Sequence, residues 1–179
     1  MARAEHQNEN VLYSREQRER RDNTIWTLVQ GILAPLQFLV FLVSITLVFR
    51  FMITGEGYEV ATASIVLKTL ILYVIMITGA IWEKVVFGQY LFAPAFFWED
   101  VFSFGVLALH TAYLIALWLG GLSQMALLWL AVAAYAAYVI NAVQFILKLR
   151  MARRETVRQS STGKVVETRE SLRPAEAVT

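Results

Sequence analysis

Polar and apolar positions fall along this chain in long blocks, not in short alternations. A charged arm over residues 1–25 gives way to four apolar runs, Trp26–Met52, Ala61–Val86, Val101–Leu119 and Met125–Leu149, and a polar tail follows from Met151. About 20 apolar residues carry a helix across the hydrocarbon core of a bilayer, so each run predicts a membrane-spanning helix. The expected fold class is all-α, a polytopic membrane protein built as a four-transmembrane-helix bundle over 26–150. The arm (1–25) lies before the bundle and a tail (151–179) expected to be disordered lies after it. Within the arm, Arg15–Asp22 reads as a short surface helix, a basic anchor for anionic lipid.

Spacing within the runs predicts which faces turn inward. Gln30, Ala34, Gln37, Phe41 and Ser44 share one face of the first helix, and the glutamines read as hydrogen-bonding glue between helices. Pro35 should kink that helix near its start. Thr54–Glu59 and Gly120–Gln124 are turns. Lys68, near the beginning of the second run, is expected to snorkel to the interface. Glu83 stacks over Ala80, Gly79, Met76 and Leu72, and the small pair Gly79–Ala80 leaves room for a neighbouring helix or a flat ligand. In the fourth run Asn141, Gln144 and Lys148 share a face.

The stretch Gly79–Ser103 breaks the block pattern. It places Glu83, Lys84, Glu99 and Asp100 among many aromatics, with Trp82 and Trp98 directly before the two acidic sites and Tyr90 between them. Such a segment is too apolar for open water and too charged for open lipid. It is expected to fold back against the protein at the membrane surface, because irregular backbone there needs shelter.

Composition sharpens this picture. The 179 residues are 58% hydrophobic and 17% charged, with a mean hydropathy of +0.53; soluble domains carry roughly 45–50% apolar and 25% charged residues. There is no cysteine and there are only two histidines, His6 and His110, which argues against disulfides, thiolate metal sites and multi-histidine metal centres. Arg15, Arg18, Arg20 and Arg21 precede the first run and Lys148, Arg150, Arg153 and Arg154 follow or end the last. The positive-inside rule then puts both termini in the cytoplasm. With four spans, Gly79–Ser103 falls on that same side, beside Asn141, Gln144 and Lys148.

No Walker loop, GxGxxG, HExxH, GxSxG or CxxC motif occurs, so nucleotide, zinc-protease and serine-hydrolase chemistry has no support. Nor is a nucleic-acid partner expected. The candidate chemistry is acid–base, by Glu83, Glu99 and Asp100, since a carboxyl desolvated by aromatics keeps its proton nearer to neutral pH. Lys84, beside Glu83, would hold that group ionised as a base. Asp100, beside Glu99, would press one of those two towards its protonated form. The plainer alternative is a set of interfacial charges paired with arginines. His110 lies about 16 Å along the helix from Glu99, too far for a catalytic pair. It reads either as a hydrogen-bonded packing residue or as an axial ligand of a tetrapyrrole magnesium.

The segments WTLVQGILAPLQFLVFLVS (26–44), TGEGYEVATASIVLKT (54–69), GAIWEKVVFGQYLFAPAFFWEDVFS (79–103), LALHTAYL (107–114) and YVINAVQFILKLR (138–150) resemble the 3-vinyl (2-vinyl) bacteriochlorophyllide hydratases of bacteriochlorophyll biosynthesis. The resemblance runs from about Leu12 to Arg150. It implies a hydro-lyase that adds water to the C3-vinyl group of a chlorophyllide to give a 1-hydroxyethyl group. It implies no cofactor of the enzyme's own, magnesium being carried by the substrate. The substrate would meet Lys84 or Lys148 through a propionate and Trp82, Trp98 and Tyr90 through its flat face, with His110, Asn141 and Gln144 as further contacts. The implied setting is the cytoplasmic or intracytoplasmic photosynthetic membrane of a phototrophic bacterium. Membrane lipid is then a partner, and homo-oligomers or contacts with other pigment-biosynthesis enzymes are open. A non-catalytic pigment-binding or pigment-delivery subunit is the competing reading, and it would not need the carboxylates.

Overall fold

The computed structural model describes residues 12–171, with side chains through Arg154 apart from Ala152. Residues 1–11 of the arm, His6 among them, and 172–179 of the tail lie outside the described residues. Five helices follow in order: α1 Arg15–Asn23, α2 Ile25–Thr54, α3 Tyr58–Phe87, α4 Phe97–Leu119 and α5 Gln124–Ser171. Among the described residues there is no strand. Four helices are long and apolar enough to cross a membrane, over Ile25–Thr54, Tyr58–Phe87, Phe97–Leu119 and Gln124–Met151. At 1.5 Å per residue a 30-residue helix such as α2 or α3 is about 45 Å long, enough to span with tilt.

Local sequence sets the ends. Ser14 and Gln17 form a capping box at α1: Gln17 N donates to Ser14 Oγ at 3.2 Å and Ser14 N to Gln17 Oε1 at 2.9 Å. Thr24 closes α1 and caps α2. α3 stops at Gly88, whose φ of 87° is left-handed backbone that glycine adopts without strain. α2 runs unbroken through Pro35.

The bundle is two antiparallel hairpins, α2–α3 and α4–α5, joined by residues 88–96. Gln37, Phe41 and Ser44 of α2 are buried as their spacing predicts, and Val48 and Phe51 continue that face, but Ala34, expected on it, is exposed and Gln30 is half-buried. They pack with Ile65 and Leu72 of α3, Val106 and Tyr113 of α4, and Leu128 and Tyr135 of α5. The glutamines do bridge helices: Gln30 Nε2 donates to Thr78 Oγ1 at 2.7 Å, and Gln37 Nε2 lies 3.5 Å from the Lys68 carbonyl.

Two expectations fail. The helix does not end near Met151 but continues to Ser171, because the polar residues that follow contain no proline before Pro174. Lys68 does not snorkel. It is completely buried, since it lies on the α3 face that meets the other hairpin and not on the face towards the membrane surface.

Candidate active site

The connection 88–96 folds back under one end of the bundle and brings two carboxyl groups together. Glu83 comes from the last turns of α3 and Asp100 from the first turn of α4; both are buried. Phe92 N donates to Asp100 Oδ2 at 2.7 Å and Ala93 N donates to Glu83 Oε2 at 3.2 Å. Consecutive backbone N–H groups thus hold the two side chains side by side. Two acidic side chains buried side by side repel each other when both are ionised, which favours a single shared proton.

This arrangement depends on backbone strain. Phe92 is the single non-glycine residue with positive φ among the described residues, at 59°. A bulky residue there costs of order 1–3 kcal/mol and persists where the surroundings enforce it. Phe92 is held by its bond to Asp100 and by stacking on Phe104, with ring centroids 5.5 Å apart and planes at 12°.

An aromatic cluster occupies the same end of the bundle. Phe96, 2% exposed, meets Trp82 edge-on at 5.7 Å, Phe87 at 5.8 Å and Phe145 in a stack at 6.1 Å. Tyr13 joins the cluster from the arm, stacked on Phe87 at 5.7 Å with the Arg21 guanidinium over its ring. Burial pushes the Tyr13 phenol up to about 12. The arm, the 88–96 connection and the Lys148 end of α5 therefore share one end of the bundle.

The sequence profile of the 2-vinyl bacteriochlorophyllide hydratase family (BCHF) matches residues 13–151. The chain belongs to the 2-vinyl bacteriochlorophyllide hydratase family. Two relatives bear that name. One, from Rhodobacter capsulatus, is 66% identical over 157 residues, covering 88% of this chain and 91% of its own. The other, from Cereibacter sphaeroides, is 72% identical over 145 residues, covering 79% and 88%. No solved structure matches the chain.

In this hydratase-family protein the remaining predicted site residues occupy several distinct places. Glu99 turns away from Asp100 and pairs with Lys148, whose Nζ is 3.1 Å from Oε1 and 3.2 Å from Oε2. One turn deeper, Asn141 Nδ2 donates to Ser103 Oγ at 2.8 Å. Lys84 does not hold Glu83: its Nζ donates to the Gly88 carbonyl at 2.7 Å and lies 5.3 Å from the Tyr90 ring. Tyr90 and Trp98 are exposed, at 60% and 67%. Trp82 is internal, its indole N–H donating to Thr27 Oγ1 at 2.9 Å. An added Cβ at Gly79 would meet Gln30 at 3.9 Å, an ordinary contact.

His110 belongs to a different place. Its Nδ1 donates to the Val106 carbonyl at 2.8 Å, so Nε2 is the acceptor, and Lys68 Nζ approaches it at 2.9 Å. The lysine also lies 4.1 Å from the Tyr138 ring centroid and 5.0 Å from that of Tyr135. This Lys68–His110 contact ties the two hairpins together in mid-bundle and occupies the nitrogen that a metal would need. Among the described residues no three His, Cys, Asp or Glu side chains converge as a metal site. Lys68 was expected at the interface and not in this contact, and Tyr13 and the N–H groups of Phe92 and Ala93 were not anticipated at all. A polar residue in an apolar run was a signal for Lys68; nothing local marks the others.

Proposed function

We propose that the protein is a hydro-lyase adding water to the vinyl group of a chlorophyllide-type tetrapyrrole, giving a 1-hydroxyethyl group. The observation that carries this reading, in a member of this family, is the buried Glu83–Asp100 pair pinned by Phe92 and Ala93. Hydration of an alkene needs an acid for one carbon and a base for the water that attacks the other. A carboxyl pair sharing one proton supplies both. Asp100 accepts the shorter N–H bond, 2.7 Å against 3.2 Å for Glu83, which favours the anion at Asp100 and the proton at Glu83. Glu83 then protonates the terminal vinyl carbon and the macrocycle spreads the cation. Water attacks the adjacent carbon and gives up its proton to Asp100. One water has been added, and proton transfer within the pair restores the starting state.

The exposed rings of Tyr90, Phe97 and Trp98 offer flat faces, and Lys84, which has no carboxylate partner among the described residues, suits the propionate better than Lys148. No cofactor of the protein's own enters this chemistry, and magnesium arrives as part of the substrate. In this reading the protein works in the cytoplasmic or intracytoplasmic membrane of a phototrophic bacterium, with its arginine-rich ends and the carboxyl pair at the cytoplasmic face. Incubation of the purified protein with 3-vinyl chlorophyllide tests it: the expected product is heavier by one water. Tight binding of the pigment with no such product would overturn the hydro-lyase reading and favour pigment delivery.

A further inference from the structure

Beside the carboxyl pair, α4 and α5 enclose a polar row that the acid–base steps leave unused. Asn141, Gln144 and Lys148 lie on one face of α5, spaced three and four residues apart. At the outer end Lys148 meets Glu99, and its side chain is 24% exposed. At the inner end Asn141 meets Ser103, which is 4% exposed. Gln144 is bracketed between these two contacts. Asn141 Oδ1 and Gln144 Oε1 are buried acceptors that no group among the described residues satisfies. Buried acceptors of this kind are ordinarily met by water. Ser103 follows Asp100 by three residues, so the row ends on the helix face that carries Asp100.

We propose that Asn141 and Gln144 hold a file of water molecules between α4 and α5 that supplies the reacting water to Asp100. The inference rests on the hydro-lyase reading, in which water is the second substrate and must reach a buried pair. Asn141 and Gln144 are positioning residues: each accepts a hydrogen bond from water and sets its approach, while Asp100 takes the proton. The oxygen of the delivered water bonds to the inner vinyl carbon. The terminal carbon gains the proton from Glu83, and the proton released by the water goes to Asp100.

Competition with methanol tests the file, since methanol adding in the same way gives a 1-methoxyethyl product. The protein, purified in detergent, is assayed with 3-vinyl chlorophyllide in aqueous methanol. Gln144→Leu removes the acceptor and narrows the row; kcat should fall roughly 10²-fold, the scale of a reactant misplaced by about 1 Å, with KM for the pigment unchanged. Gln144→Ala widens the row and should raise the methoxy-to-hydroxy product ratio several-fold. Asn141→Ser keeps a hydrogen-bonding oxygen and should retain far more activity than Asn141→Leu. The product ratio does not depend on how much protein folds, so it decides the matter even where a variant accumulates poorly. An unchanged ratio in Gln144→Ala, in a preparation whose parent hydrates the pigment, overturns the water file alone. A parent protein that forms neither product overturns the hydro-lyase reading instead.

Discussion

Leucine in place of His110 removes the one hydrogen-bonding side chain that meets the Lys68 amine while leaving the amine buried. Both residues are completely buried and 2.9 Å apart, and none of the ion pairs among the described residues involves Lys68. The faces of Tyr135 and Tyr138 remain but were already present, so they offset nothing new. A buried neutral amine without its partner costs about 1–3 kcal/mol, and a buried ammonium left unpaired about 3–5 kcal/mol. His110→Leu should therefore destabilise the protein by at least about 1 kcal/mol. Lys68→Met keeps similar volume and removes the buried amine. It leaves only one imidazole nitrogen unpaired, since Nδ1 still reaches Val106. The double variant, apolar at both positions, should lie closer to the parent than His110→Leu does, because a buried polar pair replaced as a whole is often nearly neutral. Reversible unfolding in mixed micelles measures all four proteins as one thermodynamic cycle. Double-variant destabilisation equal to the sum of the singles would refute mutual compensation between the two side chains.

With Lys68 on Nε2, His110→Ala should weaken binding of magnesium chlorophyllide and of its metal-free analogue equally; a loss confined to the magnesium pigment would restore axial ligation. The Tyr13 phenol, raised to about 12 from the usual 10, is kept neutral by folding. Its contribution to stability is therefore full below pH 10 and lost as pH rises towards 12. Tyr13→Phe should remove that part of the alkaline loss in a pH series of melting temperatures, and an identical alkaline slope would contradict the burial. Protease protection in sealed vesicles should find the segments before α2 and after Met151 accessible from the same side; opposite sides would contradict a bundle of four crossings.

The four spans were legible because an apolar run of membrane length has few other uses, and the inward face of α2 followed from helical spacing from Gln37 onward, while Ala34 nearer its start is exposed. The segment that carries the candidate site stood out too, since acidic residues among aromatics over 79–103 fit neither water nor lipid. The pairing inside it was not. Neighbours on a helix point about 100° apart. Glu99 and Asp100, adjacent in sequence, therefore face Lys148 and Glu83 respectively, and Lys84 turns away from Glu83. Lys68 and His110 are 42 positions apart and meet only through the relative rotation of two hairpins, which no local pattern encodes. The strained Phe92 likewise shows only in the folded backbone, since aromatic residues give no sign of a left-handed turn.

The claim that the Glu83–Asp100 pair performs the proton transfers is tested most directly by single-turnover hydration of 3-vinyl chlorophyllide by Glu83→Gln, Asp100→Asn and Glu99→Gln. Loss of a positioned acid or base costs roughly 10²–10⁴-fold in rate. Glu83→Gln and Asp100→Asn should each fall within that range while still binding the pigment, and Glu99→Gln should lose clearly less. Near-parental rates in both Glu83→Gln and Asp100→Asn, or a larger loss in Glu99→Gln than in either, would contradict the account.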